Sequence, residues 1–168
     1  MDQELSLDSV AFRRLMSRFA TGVAVLAVRQ PNGSVVAMTA NAITSVSLTP
    51  TLLLVCVEKI ANFAPYLLSS DVFSICFLSE DRADLSDHFA GRQTGEPPRF
   101  EFKDWEGGPL LVGCLAALGC RRYDVLEGGD HWIVLGETLT LHKPETSPEP
   151  LIFYSSRYRR LVPMEISS

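Results

Sequence analysis

Residues 38–59 read MTANAITSVSLTPTLLLVCVEK, and this stretch decides how the rest of the chain is interpreted. Residues 51–57 form a continuous apolar run, which predicts a β-strand buried on both faces. The preceding segment predicts a polar loop of small residues that a flat polar ligand can approach closely. Taken alone, such hydroxyl groups more often satisfy their own backbone in a turn. Five of the nine residues 39–47 have hydrogen-bonding side chains: Thr39, Asn41, Thr44, Ser45 and Ser47.

Size and charge exclude several classes of protein. A chain of 168 residues with 46% hydrophobic residues predicts a single domain, residues 1–168, that buries roughly 70% of its unfolded surface. The net charge of -5 and the lack of aromatic residues interleaved with Lys or Arg argue against nucleic acid as a partner. No run reaches the roughly 18 uncharged residues that span a bilayer, and the N-terminus is acidic. We therefore expect no membrane association and a cytoplasmic location.

The four cysteines predict core packing and no metal site. Cys76, Cys114 and Cys120 lie in apolar runs, and no C-x-x-C spacing occurs. Cys56 differs because it belongs to the opening stretch, where it can face a ligand.

Three helices are predicted. Residues 8–20 form an amphipathic helix capped by Ser6 or Asp8 and ended near Gly22. Residues 62–69 and 82–90 form two more, and Gly91 stops the last one. In the first helix the apolar face comprises Phe12, Leu15, Met16 and Phe19, whereas Arg13, Arg14 and Arg18 point outward.

The remaining pattern predicts six or seven short strands in an antiparallel barrel or sandwich. Asn32-Gly33 joins the first two strands in a hairpin. Residues 92–109 form a long loop held by Phe100, Phe102 and Trp105. Neither G-x-G-x-x-G nor a phosphate-binding P-loop is present. The predicted strands are 21–29, 34–39, 51–57, 72–78, 110–123, 131–142 and 151–154.

Gly128-Gly129-Asp130-His131 is a second candidate site. Two glycines bring a turn close to whatever it faces, and Asp130 can fix the tautomer of His131. A plain hairpin turn with a solvated histidine is the simpler interpretation of these four residues. No G-x-S-x-G nucleophile elbow occurs, so the sequence does not predict a serine hydrolase.

Five segments together resemble one known family. FATGVAVLAV, MTANAITSVSLTPTLLLVCVEK, DHFAG, GGDHWIVLGE and PLIFYSSRYRRL resemble, in order and spacing, the flavin reductase family with the FMN-binding split-barrel fold. The resemblance covers nearly the whole chain. It implies a mainly β domain: an antiparallel split β-barrel of Greek-key type with peripheral helices.

The resemblance also implies an activity. An NAD(P)H-dependent flavin reductase transfers a hydride from NADH or NADPH to FMN or FAD, works as a homodimer, and supplies reduced flavin to a separate flavin-dependent monooxygenase. Two alternatives stay open: a tight flavin-binding protein that reduces a corrin, a metal ion or a quinone, and a non-catalytic flavin or tetrapyrrole-binding module. No metal is implied.

The family's functional residues transfer to matching positions. His131 is the implied catalytic residue, near the nicotinamide and the flavin, and the terminal Arg157 and Tyr158 match the cofactor-binding pattern. The long loop 92–109 is a candidate gate for flavin release. The implied flavin contacts are Thr39, Ala40 and Asn41 along the ring, Cys56 and Val57 near its other edge, and Thr44, Ser45, Val46, Ser47, Lys59, Ala61 and Asn62 around the ribityl chain and phosphate.

The chain departs from the family pattern at its phosphate end. Ile60, Ala61 and Phe63 occupy positions after Lys59 where hydroxylated residues are common, so Asn62 is the only polar side chain between Lys59 and Pro65. Ala42 replaces a frequent serine, which removes a hydroxyl but leaves room for the ring.

Overall fold

A seven-stranded antiparallel sheet dominates the computed structural model, which describes residues 8–146 and 148–162. The predicted cap Ser6 lies outside these residues. The helices are α1 Ser9–Met16, α2 Ala64–Ser69 and α3 Ala83–Phe89. The strands are β1 Thr21–Gly22, β2 Ala24–Arg29, β3 Val35–Ala40, β4 Ile43–Leu48, β5 Thr51–Glu58, β6 Val72–Phe77, β7 Phe102–Lys103, β8 Leu110–Leu111, β9 Ala116–Gly128, β10 His131–His142, β11 Ile152–Tyr154 and β12 Arg157–Arg159.

The main sheet curls into a barrel with one open seam. Its strand order is β3-β2-β6-β9-β10-β5-β4, so β3 and β4 are its two edges. Only Asn41 and Ala42 connect them, and a connection of that length spans at most about 11 Å between the flanking Cα atoms. The edges therefore meet at this point without a hydrogen-bonded ladder, which is the predicted split barrel. β6 returns to lie beside β2 after β2 to β5 have gone round the barrel, as in a Greek key.

Strands β2 and β5 differ in how many of their faces are buried. In β2 every residue from Ala24 to Val28 is buried, because one side faces the barrel interior and the other faces a second core under α3. In β5 only Leu53, Val55 and Val57 are buried among the apolar residues. The prediction that 51–57 is buried on both faces is therefore wrong for the single chain, since no layer of this chain covers the outer face.

The segment predicted as a polar loop is instead an edge strand. β4 pairs with β5 from Ile43 opposite Val55 to Leu48 opposite Thr51, with a bulge between Ser45 and Ser47. Its β-branched residues favour an extended backbone, and hydroxyl side chains suit an edge that has solvent on one side. The strand was missed because its hydroxyl groups resemble those of a turn.

Helix α1 is shorter than predicted and does not bury its apolar face. Asp8 caps it, because its Oδ1 accepts from the N–H groups of Val10 and Ala11, both at 2.8 Å. None of its eight residues is buried, and Phe12 is 59% exposed. The predicted apolar face thus points away from the domain, and Phe19, beyond the helix end, is 71% exposed.

Most other elements follow the prediction. The hairpin at 30–34 turns through Gly33 with φ of 86°, and Gly91, with φ of 67°, follows α3. The basic C-terminal segment, which lies beyond the last predicted strand, forms β12 and pairs with β11 through a turn at Ser155 and Ser156.

The cysteines lie where the sequence predicts. Cys76, Cys114 and Cys120 are buried and reduced, and Cys56 is half-buried. Burial raises the pKa of the Cys120 thiol to about 12. Among the described residues, no helix is long and apolar enough to cross a membrane.

Candidate active site

The candidate site surrounds the crossover from β3 to β4, a connection of small residues. The amide of Asn41 donates through Nδ2 to the hydroxyl of Thr21 at 3.2 Å. The carbonyl of Ala42 accepts from the N–H of Cys56 at 3.0 Å. These two bonds hold the crossover between β1 and β5, with Asn41 and Ala42 both exposed. The backbone at the seam of the barrel is therefore accessible from outside.

The first cavity beside the crossover is mainly apolar, with hydroxyl groups along one wall. It has a volume of about 450 Å³ and lies between β4–β5 and residues 19–24. The Thr44 hydroxyl donates to the Ser45 carbonyl at 3.4 Å, and Ser47 Oγ accepts from the N–H of Thr49 at 3.2 Å. The strand's hydroxyls thus make weak local bonds and remain at the cavity wall. The predicted residues that line this cavity are Asn41, Thr44, Ser45 and Ser47.

A second cavity of about 240 Å³ lies on the other side of the crossover, against α3 and the C-terminal hairpin. The Thr39 hydroxyl donates to the carbonyl of Ser86 at 2.7 Å. The Tyr158 hydroxyl lies 2.8 Å from Ser86 Oγ and 2.7 Å from Asp87 Oδ1. Burial is the main reason that the pKa of Tyr158 is raised. The predicted residues Thr39, Ala40, Asn41 and Tyr158 line this cavity together with Ser86 and Arg92.

A wider groove of about 980 Å³ runs along β3 toward α3 and the loop after β5. It brings Ala61 and Asn62 to the same surface as Thr39. Phe100 closes part of it by packing edge-on against Phe89, with ring centroids 4.9 Å apart. The long loop 92–109 therefore borders this groove through its rings.

The Gly-Asp-His turn joins β9 to β10, with Gly129 at φ of 69°. His131 Nδ1 lies 2.7 Å from Asp130 Oδ1. An ionised carboxylate only accepts hydrogen bonds, so Nδ1 carries a proton, and in the neutral imidazole Nε2 is then the acceptor. The hydrogen bond from His131 is the main cause that lowers the pKa of Asp130. The Lys59 N–H donates to the Asp130 carbonyl at 2.9 Å, which ties the turn to the end of β5.

The side chain of Lys59 lies at this same end of the barrel. Its Nζ is 3.1 Å from Glu127 Oε2 and 4.8 Å from the ring centre of Trp132. The ring and the carboxylate hold the ammonium group in place, and the lysine side chain keeps about a third of its surface exposed. Glu127 is mostly exposed, so the pair can open to admit an anion.

Several predicted residues do not line the three cavities. Val57 is 1% exposed in the barrel core, so only its backbone is available to a ring at this position. Val46 is half-exposed at the β4 bulge, and Cys56 lies on the outer face of the sheet. Arg157 is exposed on β12.

Sequence reasoning missed three residues of the site. Thr21, Ser86 and Arg92 were not singled out, although each lies within or next to a quoted segment. Thr21 belongs to FATGV, Ser86 precedes DHFAG and Arg92 follows it. Their positions relative to those segments were the available signal.

Comparison with known proteins identifies the family. Residues 16–162 match the family model described as the flavin reductase like domain. The chain belongs to this family. Among the relatives of this flavin reductase-like chain is the NADH-dependent FAD reductase of Streptomyces globisporus, 37% identical over 93% of this chain and 87% of the relative. The reductase component of 4-hydroxyphenylacetate 3-monooxygenase from Thermus thermophilus is 38% identical over 90% of this chain and 96% of its own length.

A solved structure shows the same fold. It is that of the Streptomyces globisporus C-1027 NADH:FAD oxidoreductase SgcE6 in complex with NAD and FAD fragments. The TM-score is 0.86 at 35% identity, over 96% of this flavin reductase-like chain and 98% of the other. The split-barrel prediction is thereby confirmed.

Proposed function

We propose that this protein is an NAD(P)H-dependent flavin reductase, which transfers a hydride from NADH or NADPH to FMN or FAD and supplies reduced flavin to a separate monooxygenase. The observation that carries the proposal is the exposed crossover at residues 41–42, which opens onto two cavities and has hydrogen-bonding groups on both sides. The names of the relatives support the same activity.

The crossover fits a flat ring. Ala40 and Ala42 leave its backbone open, and the amide of Asn41 lies beside it. Cavities of this size are typical of sites for small molecules. A bound flavin supplies the ring that accepts the hydride, and the protein supplies binding, orientation and hydrogen bonds. This division of labour agrees with the absence of a G-x-S-x-G nucleophile elbow from the sequence.

The chain places separate groups around the rest of a flavin. Thr44, Ser45 and Ser47 offer hydroxyls along the β4 wall of the first cavity. Ala61 and Asn62 border the wider groove, where they lie near Thr39. We assign the ribityl chain and phosphate to these polar groups, with Lys59 as a nearby positive charge. Hydroxyl and ammonium donors of this kind bind phosphate without a glycine-rich loop.

His131 is the proposed catalytic residue. Asp130 holds its Nδ1 proton, so Nε2 is an acceptor for an N–H group of the substrate. The carboxamide of a dihydronicotinamide carries such a group. We propose that this contact orients the nicotinamide over the ring, because hydride transfer requires close alignment of donor and acceptor.

We propose that the protein is a homodimer whose subunits meet through the outer face of β5 and β10. The register places Leu54 opposite Leu135 and Cys56 opposite Ile133, all half-buried and on the face away from the core. Leu126 on β9 pairs with Ile133 and is 47% exposed. A second copy that covers this apolar face would complete the burial that the sequence of β5 predicts. We further propose that residues 1–168 are one domain and that the protein is cytoplasmic.

The activity is tested with purified protein and four substrate pairs. NADH or NADPH is mixed with FMN or FAD, and loss of nicotinamide absorbance is followed. We expect rapid oxidation with at least one pair, together with accumulation of reduced flavin when oxygen is excluded. No oxidation with any pair would contradict the proposal. Gel filtration of the protein with flavin then distinguishes a flavin that diffuses as substrate from one that stays bound, as the first alternative requires.

A further inference from the structure

Helix α1 turns its basic side toward the C-terminal hairpin. Helical spacing places Arg13, Arg14 and Arg18 opposite the exposed apolar residues, with Ser17 among them. The N–H of Ser155 donates to the carbonyl of Ser17 at 2.8 Å, which fixes the end of the helix on the β11–β12 turn. The arrangement cannot be explained by burial, since the helix has no buried residue.

Between the helix and the turn lies a cavity of about 370 Å³ that we call the basic cavity. Its polar walls combine guanidinium groups with serine hydroxyls, the donors that recognise phosphate. The Ser17 hydroxyl donates to the carbonyl of Arg14 at 2.7 Å, so it is already engaged. The residues that line the basic cavity are Arg13, Arg14, Ser17, Arg18, Ser155 and Ser156.

Among the described residues, the three arginines form no ion pair. Within residues 8–146 and 148–162, no carboxylate lies within 4.0 Å of Arg13, Arg14 or Arg18. This is unexpected in a chain of net charge -5. Arg13 and Arg14 lie in the last turn of α1, and Arg18 follows just beyond its end. The helix dipole favours basic residues in the last turn of α1 but not Arg18, which lies beyond it.

The turn that completes the basic cavity has an uncommon backbone. Ser155 and Ser156 have φ of 51° and 60°, in the left-handed region that favours glycine. Non-glycine residues in this conformation cluster at binding sites, where the surroundings compensate the strain. Here the conformation sets two serines against three arginines.

The basic cavity lies close to the candidate active site. The pKa of Asp130 is lowered first by its hydrogen bond and charge interaction with His131. The positive charge of Arg13 makes the smallest contribution in the same direction. Arg13 is therefore close enough to the Gly-Asp-His turn to interact with it electrostatically. Residues 19–22 lead from the basic cavity to the first cavity. Arg18 is three residues from Thr21, which contacts Asn41, and that separation is at most about 11 Å between Cα atoms.

We propose that the basic cavity binds the phosphate or pyrophosphate of a nucleotide substrate whose reactive ring lies at the crossover. The inference rests on the proposed flavin reductase function and adds a binding site to it. The two sources of such a group are the nicotinamide dinucleotide and the adenylate half of FAD, since the phosphate on the ribityl chain is assigned to the β4 wall. Arg14 and Arg18 lie on one side of the helix and are the main ligands, with Arg13 nearer the His131 turn.

The first test is independent of activity. Binding of inorganic pyrophosphate is measured by calorimetry for the wild type, for Arg14→Ala/Arg18→Ala and for the control Lys103→Ala/Lys143→Ala, which removes two other exposed positive charges. We expect binding that weakens as salt rises and a loss of affinity of roughly tenfold or more in the arginine variant only. No binding to the wild type, or equal binding to all three proteins, would overturn the proposal.

The second test locates the source of the phosphate. The arginine variant should raise the KM for NADH but not for 1-benzyl-1,4-dihydronicotinamide, which lacks phosphate, if the dinucleotide is bound. It should raise the KM for FAD but not for FMN if the adenylate half of FAD is bound. Equal changes for the two members of each pair contradict the inference. If the wild type oxidises no reductant, the proposed function fails, whereas pyrophosphate binding still decides the basic cavity.

Discussion

The hydroxyl of Thr39 donates a 2.7 Å hydrogen bond to the carbonyl of Ser86, 47 residues away in the sequence. This bond ties the edge strand β3 to α3 at the point where β3 leads into the crossover. The second cavity lies directly beside it. Its geometry therefore depends on how firmly α3 is held against β3.

Replacing Thr39 by Val removes this hydrogen bond with little change in shape. The Ser86 carbonyl keeps the Ala90 N–H as a partner, so we expect a loss of about 1 kcal/mol in the free energy of unfolding. The KM for flavin should rise several-fold because the crossover is less firmly placed. Denaturant unfolding and steady-state kinetics measure both effects. Thr39→Ser keeps the donor and should resemble the wild type; equal losses in both variants would argue against the bond.

Tyr158 predicts a pH dependence of stability. Burial raises its pKa, so the folded protein holds the phenolic proton more tightly than the unfolded chain. The resulting stabilisation is complete below about pH 10, the pKa of an unfolded tyrosine, and is lost as the pH rises toward the folded value. Tyr158→Phe cannot titrate, so its stability should fall less steeply above about pH 10. Unfolding curves across this range, with the exposed Tyr123→Phe as control, test the sign of the effect.

Replacing His131 should reduce turnover of NADH without weakening flavin binding. If its Nε2 orients the nicotinamide, His131→Ala should lower kcat/KM for NADH about tenfold, the size of one hydrogen bond to substrate, while flavin affinity stays near the wild-type value. Asp130→Asn should have a smaller effect in the same direction, because the imidazole loses its fixed tautomer. His142→Ala alters the other end of β10 and is the control. Equal rates for the two histidine variants would remove His131 from the site.

The outer face of β5 and β10 predicts the oligomeric state. Ile133→Asp places a charge among Leu126, Cys56 and neighbouring apolar side chains, so a dimer built on this face should dissociate. Leu141→Asp changes a residue of the same strand that is 71% exposed, and it should leave the dimer intact. Sedimentation velocity measures both. A wild type that sediments as a monomer would refute the proposed homodimer.

At Gly119 the barrel has no room for a side chain. A Cβ added there would clash with the carbonyl oxygen of Glu106, which is backbone and cannot move aside alone. Gly119→Ala should therefore cost about 1–3 kcal/mol of stability, as overpacking does. Gly22→Ala meets nothing within 4 Å and should change stability little. Thermal unfolding of the two variants compares them directly, and equal midpoints would contradict the close approach.

Local rules explain why much of the fold could be predicted from the sequence. Asn32 and Gly33 specify the first hairpin, and Gly91 marks the end of α3 because it accepts a left-handed backbone. The apolar runs around Cys76 and Cys120 predict buried strands. Family motifs then indicate the crossover and the Gly-Asp-His turn as candidate sites. Each of these signals depends on residues close together in the chain.

The tertiary structure decided what those signals could not. Whether 43–48 is a loop or an edge strand depends on β5 being available as a partner, and hydroxyl residues alone suit both. Tyr158 meets Ser86 across 72 residues, a contact that only the closed barrel creates. The orientation of α1 likewise depends on the hairpin that receives its basic side. The sequence by itself determined most of the strands and turns and the family, because local backbone preferences and apolar periodicity act over a few residues. Which surfaces face one another was decided only when the long strands paired in register and the sheet closed.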